Sequence, residues 1–317
     1  MGKTKQERTE SMAVFWTLFL KVLPLYLTIG LGYLAGKYLH VKKEMIAPLL
    51  IYIIVPIIVF HGVATTPLTL QHISLPFVFF LLCCFICFLF LWISSLIWQD
   101  TTKNILAFTA GTGNTGYFGL PVAVALFGKS LMGLVVFAIL GITLYENTVG
   151  FFIVARGRHS IQKSVLKVVK LPTLYAFLAG MLVNLARIHF GEVYVNSVNN
   201  FSGAYIVLGM MLIGFGMADI HWSNIDIRFL GIAFLAKFVV WPFLMTLIVL
   251  LDKNLFHFYS CDVYQMMMLL SMVPLAANTV SYATELRTQP EKAAVAVLLS
   301  TLFALFFIPL MTIVLRR

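Results

Sequence analysis

The chain has 317 residues, of which 61% are hydrophobic and only 11% charged, and its mean hydropathy is +0.97. A soluble globular domain carries about 25% charged residues, so this composition excludes a soluble protein. Because one membrane-spanning helix needs about 20 apolar residues, a chain of this length can hold many spans. We therefore predict a single all-α polytopic membrane protein.

The formal net charge is +10, from 22 Lys and Arg against 12 Asp and Glu. In a membrane protein such an excess marks cytoplasmic loops and contacts with lipid head groups. We expect the lipid bilayer, and no nucleic acid, as a partner. Three of the four cysteines lie in one apolar run and the fourth stands alone in a joint, a pattern that indicates neither a disulfide framework nor a metal site. No cofactor is expected.

Apolar runs long enough to cross a bilayer recur along the chain, separated by short polar joints. They predict ten spans, five on each side of a basic linker at residues 156–170. The first five-helix repeat then covers residues 13–155, the second covers residues 171–317, and residues 1–12 form a polar tail. The predicted spans are residues 13–37, 45–64, 75–98, 104–127, 131–155, 171–188, 199–219, 228–251, 263–286 and 291–315.

Lys and Arg are concentrated in alternate joints, above all in the linker. Loops rich in these residues stay in the cytoplasm. We therefore expect a multi-pass protein of the plasma membrane with both termini outside the cytoplasm. Within the linker, Lys163, Lys167 and Lys170 recur at helical spacing beside Val165 and Leu166, which is typical of a short interfacial helix.

The two halves share a polar feature at corresponding positions. An Asn-Thr pair occurs in the fourth span, at Asn114 and Thr115, and a second pair occurs in the ninth, at Asn278 and Thr279. With five spans per half, the second half enters the membrane from the opposite side. A repeat of this kind is inverted, about an axis in the membrane plane. The fourth and ninth spans then meet near the middle of the bilayer.

Both of these spans carry residues that break helices. Gly113, Gly116 and Gly119 precede Pro121 in the fourth span, and Pro274 interrupts the ninth. Each Gly lowers helix stability by about 1 kcal/mol and an interior Pro by about 3 kcal/mol. A broken helix is tolerated at membrane depth only where it is buried in protein or lines a wet cavity. The breaks predict a binding site; the alternative is a kink that only lets helices pack closely.

The chemistry available at the two breaks suits an anion. Amide and hydroxyl side chains lie beside backbone N–H groups at the starts of half-helices, where the helix dipole is positive. Such a site can hold a carboxylate without a buried Arg, so we predict a small organic anion as substrate. The expected substrate ligands are Asn114, Thr115, Tyr117, Asn278 and Thr279.

The sequence from Asn114 to Pro121 resembles the Asn-Thr-x-x-x-Gly-x-Pro signature in the fourth span of the auxin efflux carrier family. That family includes plant auxin carriers and bacterial malate permeases. Pro274, Ala283 and Glu285 are similar to its ninth span and the joint that follows. The resemblance implies a carrier of organic anions with a scaffold and a mobile transport unit, and broken helices that cross as in bile-acid symporters and sodium–proton antiporters.

The resemblance also implies functional roles for Asn114, Thr115, Pro121 and Asn278. Plant members have a proline where this chain has Thr279, so the second break rests on Pro274 and Asn278. A long hydrophilic central loop of many plant members is replaced here by residues 156–170. The chain is thus similar to a bacterial-type member, for which malate or a related mono- or dicarboxylate is the expected substrate.

Two ionisable residues lie well inside predicted spans. Glu146, in the fifth span, can carry a coupling proton if burial favours its neutral form, or can be a hydrogen-bonded packing acid. Lys237, in the eighth span, can serve an anion or coupling role, or pair structurally. The sequence contains no nucleophile triad or phosphate-binding loop of the P-loop type, so no enzymatic activity is expected.

Other functions remain open at this stage. A sodium-coupled symporter of the bile-acid type shares the crossed broken helices, but needs acidic and carbonyl ligands for sodium. A membrane-embedded enzyme needs clustered catalytic side chains at one depth, and a receptor does not need a repeated break. The coupling ion, proton or sodium, and a homodimeric state are likewise left open.

Overall fold

The computed structural model describes residues 16, 20, 23–24, 27–65, 70–127, 132–218 and 225–315. Every regular element within these ranges is a helix, in agreement with the predicted all-α class. The predicted tail at residues 1–12 lies outside the described residues. Inside the helices, the side chains of Tyr117, Pro121 and Lys167 also lie outside the description.

The first half of the chain forms six helices, which we number α1 to α6. Three of them contain a π-helical turn, a feature often found at functional sites. Their bounds are α1, residues 27–38; α2, Lys43–Leu49, Leu50–Ile54 (π-helical) and Val55–Thr65; α3, Leu70–Ser95; α4, Thr102–Ala110; α5, Leu120–Phe127, preceded by a π-helical turn at Thr115–Gly119; and α6, Met132–Tyr145, Glu146–Gly150 (π-helical) and Phe151–Arg156.

The second half forms the helices α7 to α13. Their bounds are α7, Ile161–Val169; α8, Pro172–Leu185; α9, Glu192–Ala218; α10, Ile227–Leu235, Ala236–Val240 (π-helical), Trp241–Leu251 and Asp252–Phe256 (π-helical); α11, Cys261–Ser271; α12, Asn278–Glu285; and α13, Pro290–Leu315. Helices α8 and α13 both begin with a proline, which suits a first helical position because the N–H that proline lacks has no partner there.

Length and composition single out five of the described helices as able to cross a membrane. They are Glu44–Thr65, Ile73–Ser95, Leu134–Arg156, Ile227–Phe256 and Pro290–Ile308, and the apolar helix Pro172–Leu185 is shorter. Many large apolar side chains on these helices are exposed, among them Phe85, Trp92 and Phe243, as is expected where lipid replaces water. The protein is therefore a helical membrane protein, while the ten-span repeat stays a prediction.

Helix bounds differ most from the predicted spans at α9. This helix begins at Glu192, seven residues before the predicted span, since Glu192, Asn196 and Ser197 lower the hydropathy there without ending the helix. The linker contains the short helix α7, as its lysine spacing predicts. Its apolar side chains at Ile161, Val165, Leu166 and Val169 are exposed.

Two groups of helices can be distinguished by their packing. Helix α2 contacts both α8 and α9, and α1 approaches α9 so closely that a Cβ at Gly214 would overlap the backbone of Ile29. Helices α3 to α6 and α10 to α13 form the second group, in which α3 packs along both α4 and α6. The groups meet where α9 contacts α12 and α13 and where α2 contacts α6 and α12.

Polar contacts tie three helix starts of the second group together. The Lys292 ammonium lies 3.0 Å from the Asp226 carboxylate and 3.0 Å from the Thr102 hydroxyl. Burial alone would raise the pKa of Asp226, but hydrogen bonds from the Phe229 N–H and from Lys292 outweigh it and lower that pKa. Since these residues begin α13, α10 and α4, the contacts fix these helix ends relative to one another.

Candidate functional site

The fourth predicted span is broken in the structure. Helix α4 ends at Ala110, Thr112 to Asn114 are not helical, and the chain resumes with the π-helical turn before α5. The Trp241 indole N–H, from α10, donates a hydrogen bond of 2.7 Å to the Ala110 carbonyl oxygen. A carbonyl that the break leaves without a helical partner is thereby satisfied inside the protein, as the bilayer interior requires.

The ninth predicted span is broken as well. Helix α11 ends at Ser271 and α12 begins at Asn278, with the non-helical segment 273–276 around Pro274 between them. The Asn114 backbone N–H donates a 2.7 Å hydrogen bond to the Pro274 carbonyl oxygen. The Leu275 N–H donates to the Ser300 hydroxyl of α13 at 3.1 Å. The two broken segments are thus bonded directly to each other.

Glycines allow this close approach. A Cβ at Gly119 would lie 3.1 Å from the Val273 Cγ1, and a Cβ at Gly113 would lie 3.0 Å from the Val273 Cγ2. Both distances are shorter than ordinary contacts between carbon atoms. Side chains at these two positions would therefore push the broken segments apart.

A buried carboxylate joins the two breaks through hydrogen bonds. Glu146, 3% exposed and at the start of the π-helical turn of α6, accepts a hydrogen bond from the Asn278 Nδ2 at 2.7 Å. Its other carboxylate oxygen accepts from the Thr112 hydroxyl. One acid therefore contacts both broken spans.

A tyrosine reaches the same amide from the first group of helices. The Tyr205 hydroxyl, on α9, lies 3.2 Å from the Asn278 Nδ2 and 3.3 Å from its Oδ1. A second contact between the groups joins the Tyr52 hydroxyl of α2 to the Glu285 carboxylate at 3.3 Å. These two tyrosines bridge the helix groups at different places.

The buried lysine lies behind the fourth-span break. Lys237 is fully buried, and its Nζ lies 4.1 Å from the centroid of the Trp241 ring, which gives a cation–π contact. A Cβ at Gly113 would overlap this Nζ. Among the described residues the Lys237 Nζ has no hydrogen-bond acceptor, while it interacts electrostatically with Glu146. The ammonium is the positive charge next to the unwound segment.

A cavity of about 170 Å³ opens in front of the breaks, between the two helix groups. Its walls are largely aliphatic. Helices α2 and α9 supply one wall, and α6 with the two broken segments supplies the other. The polar side chains that line it are Asn114, Thr115, Thr143, Glu146, Ser202, Tyr205 and Asn278.

A family model described as membrane transport protein matches residues 17–312. The chain belongs to this family, the auxin efflux carriers. An uncharacterized transporter of Methanocaldococcus jannaschii is 27% identical over 213 residues, which are 62% of this chain and 68% of the relative. The protein is thus a multi-pass membrane transporter that works on a small-molecule substrate.

The structure of this auxin efflux carrier family member brings most of the predicted site residues together. Asn114, Thr115 and Asn278 line the cavity with Gly113 and Gly116. Glu146 lines it too. The Pro274 carbonyl joins the breaks, and Gly119 packs against the other broken segment.

Other predicted residues of this carrier lie elsewhere. Thr279 is fully buried in α12 and does not line the cavity. Lys237 does not line the cavity either, and it packs against the broken span at Gly113. Pro121 lies in the first turn of α5 and Tyr117 lies in the π-helical turn before it, and their side chains are outside the described part. Their predicted roles stay predictions.

Three contacts of the site were not predicted from the sequence. Thr112 lies between Gly111 and Gly113, and Trp241 lies in an otherwise apolar helix. Neither position is marked as a site residue by its sequence context. Tyr205 had a usable signal, because tyrosines of membrane proteins are concentrated at the bilayer surface. This one lies near the middle of the long helix Glu192–Ala218.

Proposed function

We propose that the protein is a secondary carrier of small organic anions that binds its substrate between the two broken helices and works by alternating access. The observation that carries this proposal is the cavity, because the starts of both half-helices α5 and α12 line it. Asn114 and Thr115 mark one start and Asn278 marks the other. Two positive helix ends favour a carboxylate.

The substrate carboxylate is held in this proposal by Asn114, Thr115 and Asn278. The aliphatic residues Val55, Val59 and Leu140 line the rest of the cavity and suit a short apolar body. No Lys or Arg is present among the described lining residues. A substrate with one charged carboxylate therefore fits better than one with two, which places malate behind simple monocarboxylates within the proposed class.

Proton coupling follows from the position of Glu146. Its carboxylate accepts a hydrogen bond from the Asn278 amide that is proposed to hold the substrate. Two negatively charged carboxylates cannot share one buried amide without a large electrostatic cost. Uptake of a proton by Glu146 removes that cost, so anion and proton are bound together.

Alternating access is proposed to move the second helix group past the first. Helices α1, α2, α8 and α9 are the scaffold in this proposal, and the remaining helices carry the site. Counting α4 with α5, and α11 with α12, gives the ten spans of a five-plus-five inverted repeat, with α7 as the cytoplasmic linker. Both termini are then outside the cytoplasm, in the plasma membrane, and the scaffold is available for a homodimer.

A sodium-coupled symporter is the alternative within the same architecture. Sodium needs several oxygen ligands, and half-helix carboxyl ends commonly supply some of them. Beside the carboxyl end of α4, however, lies the Lys237 ammonium. A fixed cation there disfavours a bound sodium ion.

Substitution of the two amides tests the substrate site. Asn114→Ala and Asn278→Ala should each reduce uptake of radiolabelled malate or pyruvate into proteoliposomes at least about tenfold, since each loses a charge-assisted hydrogen bond. Asn104→Ala is the matched control. Its amide is also buried and bonds the Ile153 carbonyl at 2.9 Å, away from the cavity.

Uptake should be expressed per folded protein, measured by size-exclusion chromatography. Normal uptake by both cavity variants would reject the site. Equal loss in Asn104→Ala, at equal folded protein, would also reject it.

A further inference from the structure

Tyr205 is the polar side chain through which the scaffold group reaches the candidate substrate site. It lies on α9, lines the cavity, and places its hydroxyl within 3.3 Å of both polar atoms of the Asn278 amide. Tyr205 is not among the site residues predicted from the sequence.

Both N–H donors of the Asn278 amide have partners in this arrangement. Its nitrogen carries two hydrogens, of which one is donated to Glu146 at 2.7 Å and the other faces the Tyr205 hydroxyl at 3.2 Å. The orientation of the amide is fixed by Glu146, because a carboxylate oxygen accepts a hydrogen bond and so requires the nitrogen on its side. A substrate carboxylate can reach an Asn278 N–H only by replacing one of these partners.

We propose that Tyr205 is the partner that leaves, so that it competes with the substrate for Asn278 and sets the affinity of the site. That the substrate displaces Tyr205 rests on the proposed function. The hydrogen bond between Tyr205 and Asn278 in the substrate-free protein does not depend on it. Replacement of a neutral hydroxyl by a carboxylate gains a charge-assisted hydrogen bond. Glu146 holds the shorter of the two bonds, at 2.7 Å against 3.2 Å, and its replacement would leave a buried oxygen of the acid without a donor, charged or protonated, which is more costly.

The same contact links binding to movement. Tyr205 belongs to the scaffold group and Asn278 begins α12 of the other group. Its displacement therefore removes a hydrogen bond between the two groups, at the moment when the substrate arrives. Substrate binding and release of the helix groups become one event.

Tyr205→Phe tests this inference because it removes the hydroxyl and keeps the ring. The competing hydrogen bond is lost, so the Kd for malate or pyruvate should fall about three- to tenfold in a scintillation proximity assay. Tyr52→Phe is the matched control. It removes the other tyrosine contact between the groups, at Glu285 and outside the cavity, and should leave the Kd unchanged.

A second measurement needs no substrate. With Cys261→Ser as background, a cysteine introduced at Thr143 of the cavity reports opening by its rate of reaction with a soluble maleimide. Tyr205→Phe should raise this rate several-fold over both the unsubstituted background and Tyr52→Phe.

The outcomes separate the two proposals. If the wild type binds malate or pyruvate and Tyr205→Phe binds it equally or more weakly, Tyr205 does not compete with the substrate for Asn278. The proposed function is unaffected by that result. Absence of binding by the wild type counts against the proposed substrates. The labelling rate then tests only whether Tyr205 holds Asn278 in the substrate-free protein. An unchanged labelling rate overturns its hold on the empty site.

Discussion

At the scale of single residues, Glu146 and Lys237 are opposite charges buried on two sides of the fourth-span break. Glu146 contacts Thr112 and Asn278, while Lys237 packs against Gly113 and the Trp241 ring. Each would be costly to bury alone. Glu146 lines the cavity and Lys237 does not, so we propose that the lysine offsets negative charge at the site without contacting substrate.

Lys237→Met tests this role. Methionine has a similar length and no charge, and because the Lys237 Nζ has no hydrogen-bond acceptor among the described residues, its removal leaves no buried hydrogen-bond partner unsatisfied. We expect a Tm at least equal to that of the wild type, measured by differential scanning fluorimetry, together with at least a tenfold loss of pyruvate uptake. Lys253→Met, at an exposed lysine, is the control and should keep its uptake. A Tm well below that of the wild type with normal uptake per folded protein would show that Lys237 is structural.

The residues of the breaks could be predicted from the sequence, but their partners could not. Gly113, Asn114 and Asn278 stand out because helix breakers and amides are rare in apolar spans. Tyr205 and Trp241 are ordinary membrane-protein residues until the fold brings them to Asn278 and Ala110. Contacts between residues so distant in sequence depend on helix packing, which the pattern of one helix does not encode.

At the scale of elements, the two broken segments are stable because each finds hydrogen-bond partners outside its own helix. The Ala110 carbonyl is bonded by Trp241, the Pro274 carbonyl by Asn114, and the Leu275 N–H by Ser300. Helices α10 and α13 thereby hold the breaks open. An unwound backbone at this depth is supported by its neighbours rather than by its own sequence.

Ser300→Ala should destabilise the protein because it leaves the buried Leu275 N–H without its partner. An unsatisfied buried donor costs about 1–3 kcal/mol, which would appear as a lower Tm in detergent. Thr109→Val is the control, since the fully buried Thr109 hydroxyl bonds only the Ile105 carbonyl of its own helix at 2.6 Å. It should change the Tm much less. Equal shifts for the two variants would contradict the support that Ser300 gives to the break.

Helix positions could be predicted well where apolar runs are unbroken. The predicted third, eighth and tenth spans agree with α3, α10 and α13 to within a few residues. The start of α9 could not be predicted, because exposed polar residues at Glu192, Asn196 and Ser197 interrupt the apolar pattern of its first two turns. Hydropathy reports the part of a helix that suits lipid, and a helix can extend beyond that part.

At the scale of the whole molecule, two groups of helices meet around the cavity. Among the described residues, few polar contacts join the two groups. The described ones join Tyr205 to Asn278 and Tyr52 to Glu285. An interface of this kind can open without breaking a large ionic network. The composition and the paired breaks predicted a membrane transporter, and family membership confirms it. The direction of transport and the coupling ion depend on energies that neither the pattern nor the contacts contain.

An organic anion and a proton are proposed to be carried together through Glu146. The most direct measurement is the initial rate of pyruvate uptake into proteoliposomes under an imposed pH gradient, a sodium gradient, or neither. For the wild type we predict several-fold stimulation when the side of addition is acidic, and no effect of sodium.

Glu146→Gln supplies the decisive comparison in the same assay. Its amide oxygen can still accept the hydrogen bond from Asn278, but the side chain cannot release a proton. We predict that this variant loses the response to the pH gradient and keeps exchange of internal for external pyruvate. Stimulation by sodium, or an equal pH response in the wild type and in Glu146→Gln, would contradict proton coupling through this residue.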